Sequence, residues 1–185
     1  ELTGANVPFA VRARVCLLRD LGSALAPDNA FAIIQGLETV ALRMKQHCIN
    51  AENVVNFLKK HNEVTKVIYS TEHDEHIANR AKKYLNGGNG PMVGIELKGG
   101  IEAGKKFIES LKMFYHVANI GDARSLAIHP ASTTHSQLNE KELAASGVTQ
   151  SYVRLCIGIE HIDDIIEDLD QALNKSSKGN LKAVS

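Results

Sequence analysis

Apolar positions recur at three- and four-residue steps through the first third of the chain, then at two-residue steps in short runs. Ala30, Ile33, Ile34, Leu37, Val40, Ala41, Met44 and Cys48 share one helical face. They predict a long helix over residues 28–48, with Asp28 as its N-cap. Before it, residues 7–21 form an amphipathic stretch that carries Arg12, Arg14 and Arg19 and is interrupted by Gly22 and Pro27. Asn50 is expected to cap a continuation whose apolar face is Ala51, Val54, Val55 and Leu58, ending at His61-Asn62.

Strand-like and helical runs then alternate. The β-branched run 64–69 predicts a strand. Residues 76–85 predict a helix through Ile77, Ala81, Tyr84 and Leu85, and the glycines of 87–90 read as its C-cap and a turn. Residues 92–97 predict a strand with Val93, Ile95 and Leu97 on one face. Gly99-Gly100 lead into a helix carrying Ala103, Phe107, Ile108 and Leu111. A short strand at about 115–119 precedes a polar crossing segment, 119–135. A helix over 139–145, a strand over 152–158 and a final helix follow. That last helix turns Ile162, Ile165, Ile166, Leu169 and Leu173 inward and places Asp163 and Asp164 in its first turn, where the macrodipole favours them.

The pattern predicts an α/β fold of sandwich type, with a small, mainly antiparallel sheet covered by helices on one face and preceded by long helices. It divides into a helical lead-in (1–62), a small C-terminal α/β domain (63–175) and a polar tail (176–185) expected to fray.

Composition narrows the function classes. Lys+Arg and Asp+Glu are equal at 21 each, whereas a nucleic-acid surface wants clustered excess positive charge. Zero net charge also removes one defence against association, so an oligomer is expected. Cys16, Cys48 and Cys156 are three, odd in number and far apart. They suggest reduced thiols in a cytoplasmic protein rather than a disulfide frame or a zinc ribbon. No run of about 18 apolar residues suggests a membrane span. The start at Glu1 has neither an initiator Met nor a signal-like segment, and the chain is expected to begin in the middle of something longer.

Chemistry concentrates in two places. Alternation along 152–158 puts Val153, Leu155 and Ile157 on one face and Tyr152, Arg154, Cys156 and Gly158 on the other. Arg154 is then either a solvent-facing strand arginine or a bidentate carboxylate clamp, since a guanidinium fork matches a carboxylate. In the second reading the small neighbours Cys156 and Gly158 leave room for a ligand. The segment 119–135 supplies Asn119, Ser125, Ser132, Thr133 and Thr134 as neutral donors and acceptors, with His129 and His135 six apart. It reads either as a polar loop with caps and turns or as the other wall of an anion site. No third ligand has spacing suited to zinc. A Ser–His dyad stays open, although no G-x-S-x-G elbow is present. His73-Asp74-Glu75-His76 reads as an exposed loop at a helix start, and Gly87–Gly90 is not a phosphate loop because no Lys-Ser/Thr follows.

These residues resemble a known family. Leu18-Arg19-Asp20-Leu21-Gly22, Gly36-Leu37-Glu38-Thr39-Val40-Ala41-Leu42-Arg43-Met44, His47, Asn50-Ala51, Gly121-Asp122, Ser125-Leu126, His129-Pro130-Ala131-Ser132-Thr133-Thr134-His135, Val153-Arg154-Leu155 and Gly158-Ile159-Glu160 are similar, in order, to the C-terminal part of the pyridoxal-phosphate (PLP) enzymes of cysteine and methionine metabolism. That group includes cystathionine γ-synthase, the γ- and β-lyases, methionine γ-lyase and O-acetylhomoserine sulfhydrylase. Asn119-Ile120-Gly121-Asp122, Thr133, Lys98-Gly99-Gly100 and the 139–147 stretch most resemble the sulfhydrylase branch.

The resemblance implies the small C-terminal domain of a fold-type I PLP-dependent transferase. The implied activity replaces the acetate of O-acetylhomoserine with sulfide or a thiol, giving homocysteine or methionine. Arg154 is implied to hold the substrate's α-carboxylate, Asn119 to make the second carboxylate contact, and Thr134 to line the substrate side of the pocket. No catalytic, cofactor-binding or metal-binding residue is assigned to this chain. The Schiff-base lysine of the family stands in a Ser-x-Thr-Lys context within a large N-terminal domain, and no lysine here has that context. PLP, the electron sink, therefore belongs to the complete enzyme, and this segment alone is expected to be inactive and to self-associate. The implied partners are the missing N-terminal PLP-binding domain, further copies in a tetramer, and an amino-acid substrate. The alternatives are a cystathionine γ-synthase, γ-lyase or methionine γ-lyase on the same scaffold, and a non-catalytic anion- or partner-binding module.

Overall fold

The structure is a computed structural model and describes residues 7–72 and 74–177. Residues 1–6, His73 and the end of the polar tail from 178 lie outside the described residues. The chain clusters into two units, Glu1–Ala41 and Leu42–Ser185.

The first unit is helical. α1 (Pro8–Arg12) runs through a π-helical stretch, Ala13–Leu18, into α2 (Arg19–Leu21), which Gly22 ends in the left-handed conformation. α3 (Pro27–Glu38) starts with Pro27 at its first position, where no N–H is needed and φ is preset. Asp28 therefore sits inside the first turn, and Ala26 takes the cap position expected of Asp28. None of this unit's described residues is buried, and Phe9 is 86%, Leu21 72% and Phe31 65% exposed.

The expected helix 28–48 is divided at Thr39, and α4 runs Val40–Leu58 without a break at Asn50. Thr39 is β-branched and stiff in a helix. Asn50 does not cap, because its amide is spent on distant carbonyls described below.

The remaining elements are β1 (Val64–Ile68), α5 (Glu75–Tyr84), β2 (Met92–Leu97), α6 (Gly100–Ser110), β3 (Tyr115–His116), β4 (Leu126–Ile128), α7 (Glu140–Ala145), β5 (Tyr152–Cys156) and α8 (Ile162–Ser177). The five strands form one sheet in the order β1-β2-β5-β4-β3, antiparallel except for the β3–β4 pair. β4 was not expected. It is a three-residue strand inside the segment read as a polar crossing, and all three residues are buried.

The core lies on one face of the sheet. Val93, Ile95 and Leu97 of β2 and Val153 and Leu155 of β5 meet Ala51, Val54 and Leu58 of α4, Ala103 and Phe107 of α6, and Ile165, Leu169 and Leu173 of α8. Register agrees with alternation, since Ile95 pairs with Val153 and Val93 with Leu155. The opposite face carries Arg154. Asn139 caps α7 in a full capping box with Glu142.

Candidate functional site

Arg154 stands in the middle strand of the sheet. Its register partners are Gly94 on β2 and Ile128 on β4. The lack of a side chain at Gly94 is used by a neighbour, because the ring of Tyr152 lies over it and a Cβ there would come 2.6 Å from Tyr152 Cε2. Tyr152 and Cys156 share Arg154's face by alternation, and Cys156 is buried. Burial pushes both the Tyr152 hydroxyl and the Cys156 thiol above their ordinary pKa, while the Arg154 charge pulls each back. Arg154 itself is half-buried. Among the described residues no carboxylate forms an ion pair with it. A partly desolvated guanidinium without a carboxylate partner among the described residues has its paired donors free for a carboxylate.

The segment after β3 crosses this same face. The Gly121 amide donates to Cys156 Sγ (3.3 Å) and the Ile159 amide to the Ala123 carbonyl (2.9 Å). Ser125 then engages Glu160 twice: its amide donates to Oε1 (2.7 Å) and its hydroxyl to Oε2 (2.9 Å). The Ser125 hydroxyl in turn accepts from the Gly158 amide at 2.9 Å. Cys156 and Gly158 were expected to leave room for a ligand, and here the expectation fails. The thiol is covered by the crossing loop, and a Cβ on Gly158 would fall 2.5 Å from the Ala123 carbonyl oxygen, as well as against the Glu160 carboxylate. The small side chains make room for the chain itself.

Asn119 lies two residues ahead of Gly121, exposed, and forms no side-chain hydrogen bond among the described residues. The loop that carries it is thus fastened to Arg154's face.

Thr134 lies beyond the end of the strand paired with Arg154. Ile128, paired with Arg154, ends β4, and a 3-10 turn follows at Pro130–Ser132. Between them His129 is fully buried. Its Nε2 donates to the Gln150 carbonyl (2.8 Å), so Nδ1 is the acceptor for the Ser132 hydroxyl (2.8 Å). The His129 carbonyl accepts from the Thr133 hydroxyl at 2.9 Å. Burial is the main cause that lowers the His129 pKa. Lys105 and His116 add to it, and the Gln150 carbonyl and Glu102 oppose it. Thr134 is left exposed, its hydroxyl 2.8 Å from His135 Nδ1.

No hydrogen bond joins Arg154, Asn119 and Thr134 among the described residues. Gly121, two residues after Asn119, is bonded to Cys156 on Arg154's sheet face, and Thr134 follows the strand paired with Arg154. What sequence reasoning missed is the frame: β4, the Ser125–Glu160 pair and the His129 lock. Further support comes from α4, where Asn50 Nδ2 donates to the Gly158 (3.0 Å) and Glu160 (2.9 Å) carbonyls and His47 Nδ1 lies 2.6 Å from the Ile157 carbonyl. Among the described residues no cluster of three or more His, Cys, Asp or Glu is placed to hold a metal, and no helix is long and apolar enough to cross a membrane.

A family model described as "Cys/Met metabolism PLP-dependent enzyme" matches residues 5–174. The O-acetyl-L-homoserine sulfhydrylase of Leptospira meyeri is 51% identical over 171 residues, which are 92% of this chain and 39% of that protein. The L-methionine gamma-lyase of Fusobacterium nucleatum subsp. polymorphum is 41% identical over 174 residues, 92% of this chain and 43% of that protein. A crystal structure from Campylobacter jejuni, described as an O-acetylhomoserine (thiol)-lyase carrying N′-pyridoxyl-lysine-5′-monophosphate, superposes with a TM-score of 0.84 at 43% identity, over 94% of this chain and 42% of that one. The chain spans about two fifths of the length of the relatives it matches.

Proposed function

Because the chain belongs to the Cys/Met metabolism PLP-dependent enzymes, we propose that it is the part of an O-acetylhomoserine sulfhydrylase that grips the α-carboxylate of the amino-acid substrate. Arg154 is the clamp, Asn119 the second carboxylate contact, and Thr134 a polar wall of the substrate pocket. The observation that carries this reading is Arg154 itself, half-buried in the central strand with no ion pair among the described residues.

Bound PLP withdraws electrons from the substrate's Cα. A lysine that anchors it must present a neutral amine, which burial favours, and none of the described lysines is buried. The described residues fit the amino-acid end of the reaction and not the cofactor, so no step through PLP is assigned to them. Their work is orientation. Holding the carboxylate at a fixed point fixes which Cα bond faces the chemistry, and positioning of this kind is worth several kcal/mol. Replacement at Cγ then breaks the bond to acetate oxygen and makes one to the sulfur of sulfide or a thiol, giving homocysteine or methionine. The cofactor-binding region and further copies of the protein are the proposed partners of the exposed apolar helices in the first unit.

A second reading is a lyase on the same scaffold, favoured by the 41% identity to a methionine gamma-lyase. Product analysis of the complete protein separates the two. Homocysteine from O-acetylhomoserine plus sulfide supports the sulfhydrylase, and preferential cleavage of methionine or cystathionine overturns it. In the same assay Arg154→Ala lowers kcat/KM by on the order of 2–4 kcal/mol, the loss of a charge-assisted pair. A change below about threefold removes Arg154 from the site.

A further inference from the structure

We propose that Glu160 is a positioning residue that sets where Asn119 stands relative to Arg154, by clamping Ser125 with both carboxylate oxygens. The proposal rests on the carboxylate-binding reading of Arg154.

The loop between β3 and β4 has two unequal anchors. Upstream, β3 is two residues long and sits at the sheet edge, paired only with β4. Residues 117–120 are exposed. Downstream the anchoring is dense. Glu160 Oε1 accepts from the Ser125 amide at 2.7 Å and Oε2 from its hydroxyl at 2.9 Å. That hydroxyl accepts from the Gly158 amide at 2.9 Å, and the Ile159 amide reaches the Ala123 carbonyl at 2.9 Å. The far side of the clamp is fixed as well, because Asn50 of α4 holds the carbonyls of both Gly158 and Glu160. Ser125 is fully buried. Charge-assisted hydrogen bonds there are strong and directional.

Glu160 follows Arg154's strand by four residues, counted from Cys156. The clamp thus ties the Asn119 loop to the end of the same strand that presents the guanidinium. It touches neither substrate nor cofactor in this reading, and acts only through the loop.

The test uses the complete protein carrying this chain, with four variants: Glu160→Ala, Glu160→Gln, Ser125→Ala and Arg154→Ala. Glu160→Gln keeps an oxygen for the Ser125 amide. The clamp predicts that Glu160→Ala and Ser125→Ala raise KM for the amino-acid substrate by about tenfold with kcat within about threefold, and that Glu160→Gln stays within about threefold in both. Amide hydrogen exchange supplies a readout independent of activity: Ser125 and Ile159 exchange faster in Glu160→Ala, while the β2–β5 ladder keeps its protection. If Arg154→Ala is impaired and Glu160→Ala has normal KM, the clamp is overturned and the carboxylate reading survives. If Arg154→Ala is itself unimpaired, the carboxylate reading fails. Loss of the fold in both Glu160→Ala and Ser125→Ala makes the pair purely structural, and also overturns the positioning role.

Discussion

A histidine buried as a neutral base makes stability depend on pH. His129 gives one ring nitrogen to the Gln150 carbonyl and the other to the Ser132 hydroxyl, and burial holds its pKa below the ordinary value of about 6.5. Above that ordinary value both folded and unfolded chains are neutral at this site, and it adds no pH dependence. Below it the unfolded chain takes up the proton first. Stability therefore falls as pH drops from about 6.5 toward the lowered folded value. The urea midpoint of the native chain is expected to fall between about pH 7.5 and 5, and to fall less in His129→Gln. Equal falls in both would remove His129 from the pH response. Arg154 stood out in the sequence as a lone cation in an apolar strand, and the strand is there, at the centre of the sheet. The roles proposed for Asn119 and Thr134 came from the resemblance, on a segment dense in polar side chains. The lock was not legible in the sequence, because its second partner, Gln150, is 21 positions away, and no local pattern pairs them.

Among elements, periodicity located the long helices and the β1, β2 and β5 strands because each repeats enough turns or alternations to be seen. β4 has three residues, Leu126–Ile128, too few to show a period within polar surroundings. Its identity comes from pairing with β5, which is tertiary information. The break at Thr39 and the unbroken passage through Asn50 are similar cases. Asn50 is a good cap residue, but its amide is drawn instead to carbonyls more than a hundred positions away. One further element contact is open to measurement. Asp168 of α8 is buried and accepts from the backbone amides of Lys112, Met113 and Phe114, shaping the turn into β3. Asp168→Ala leaves these amides without their acceptor and is expected to cost on the order of 3 kcal/mol in chemical denaturation, with a smaller loss for Asp168→Asn. A loss below about 0.5 kcal/mol would show that the turn holds without the carboxylate.

At the scale of the molecule, the second unit owns a closed core and the first buries none of its described residues. Its Phe9, Leu21, Phe31 and Leu37 are each exposed, a density of apolar side chains that favours a partner, and a net charge of zero does little to oppose association. The chain spans about two fifths of its relatives. In the proposed reading it supplies a carboxylate clamp on the sheet face that the β3–β4 segment crosses, and the rest of the protein supplies the chemistry. The most direct measurement compares kcat/KM of the complete protein for O-acetylhomoserine and for its α-carboxamide, with Arg154 intact and as Arg154→Ala. A carboxylate clamp predicts that the native protein prefers the acid on the order of a hundredfold, and that the preference shrinks to within about threefold in the variant. The same preference in both proteins would contradict it.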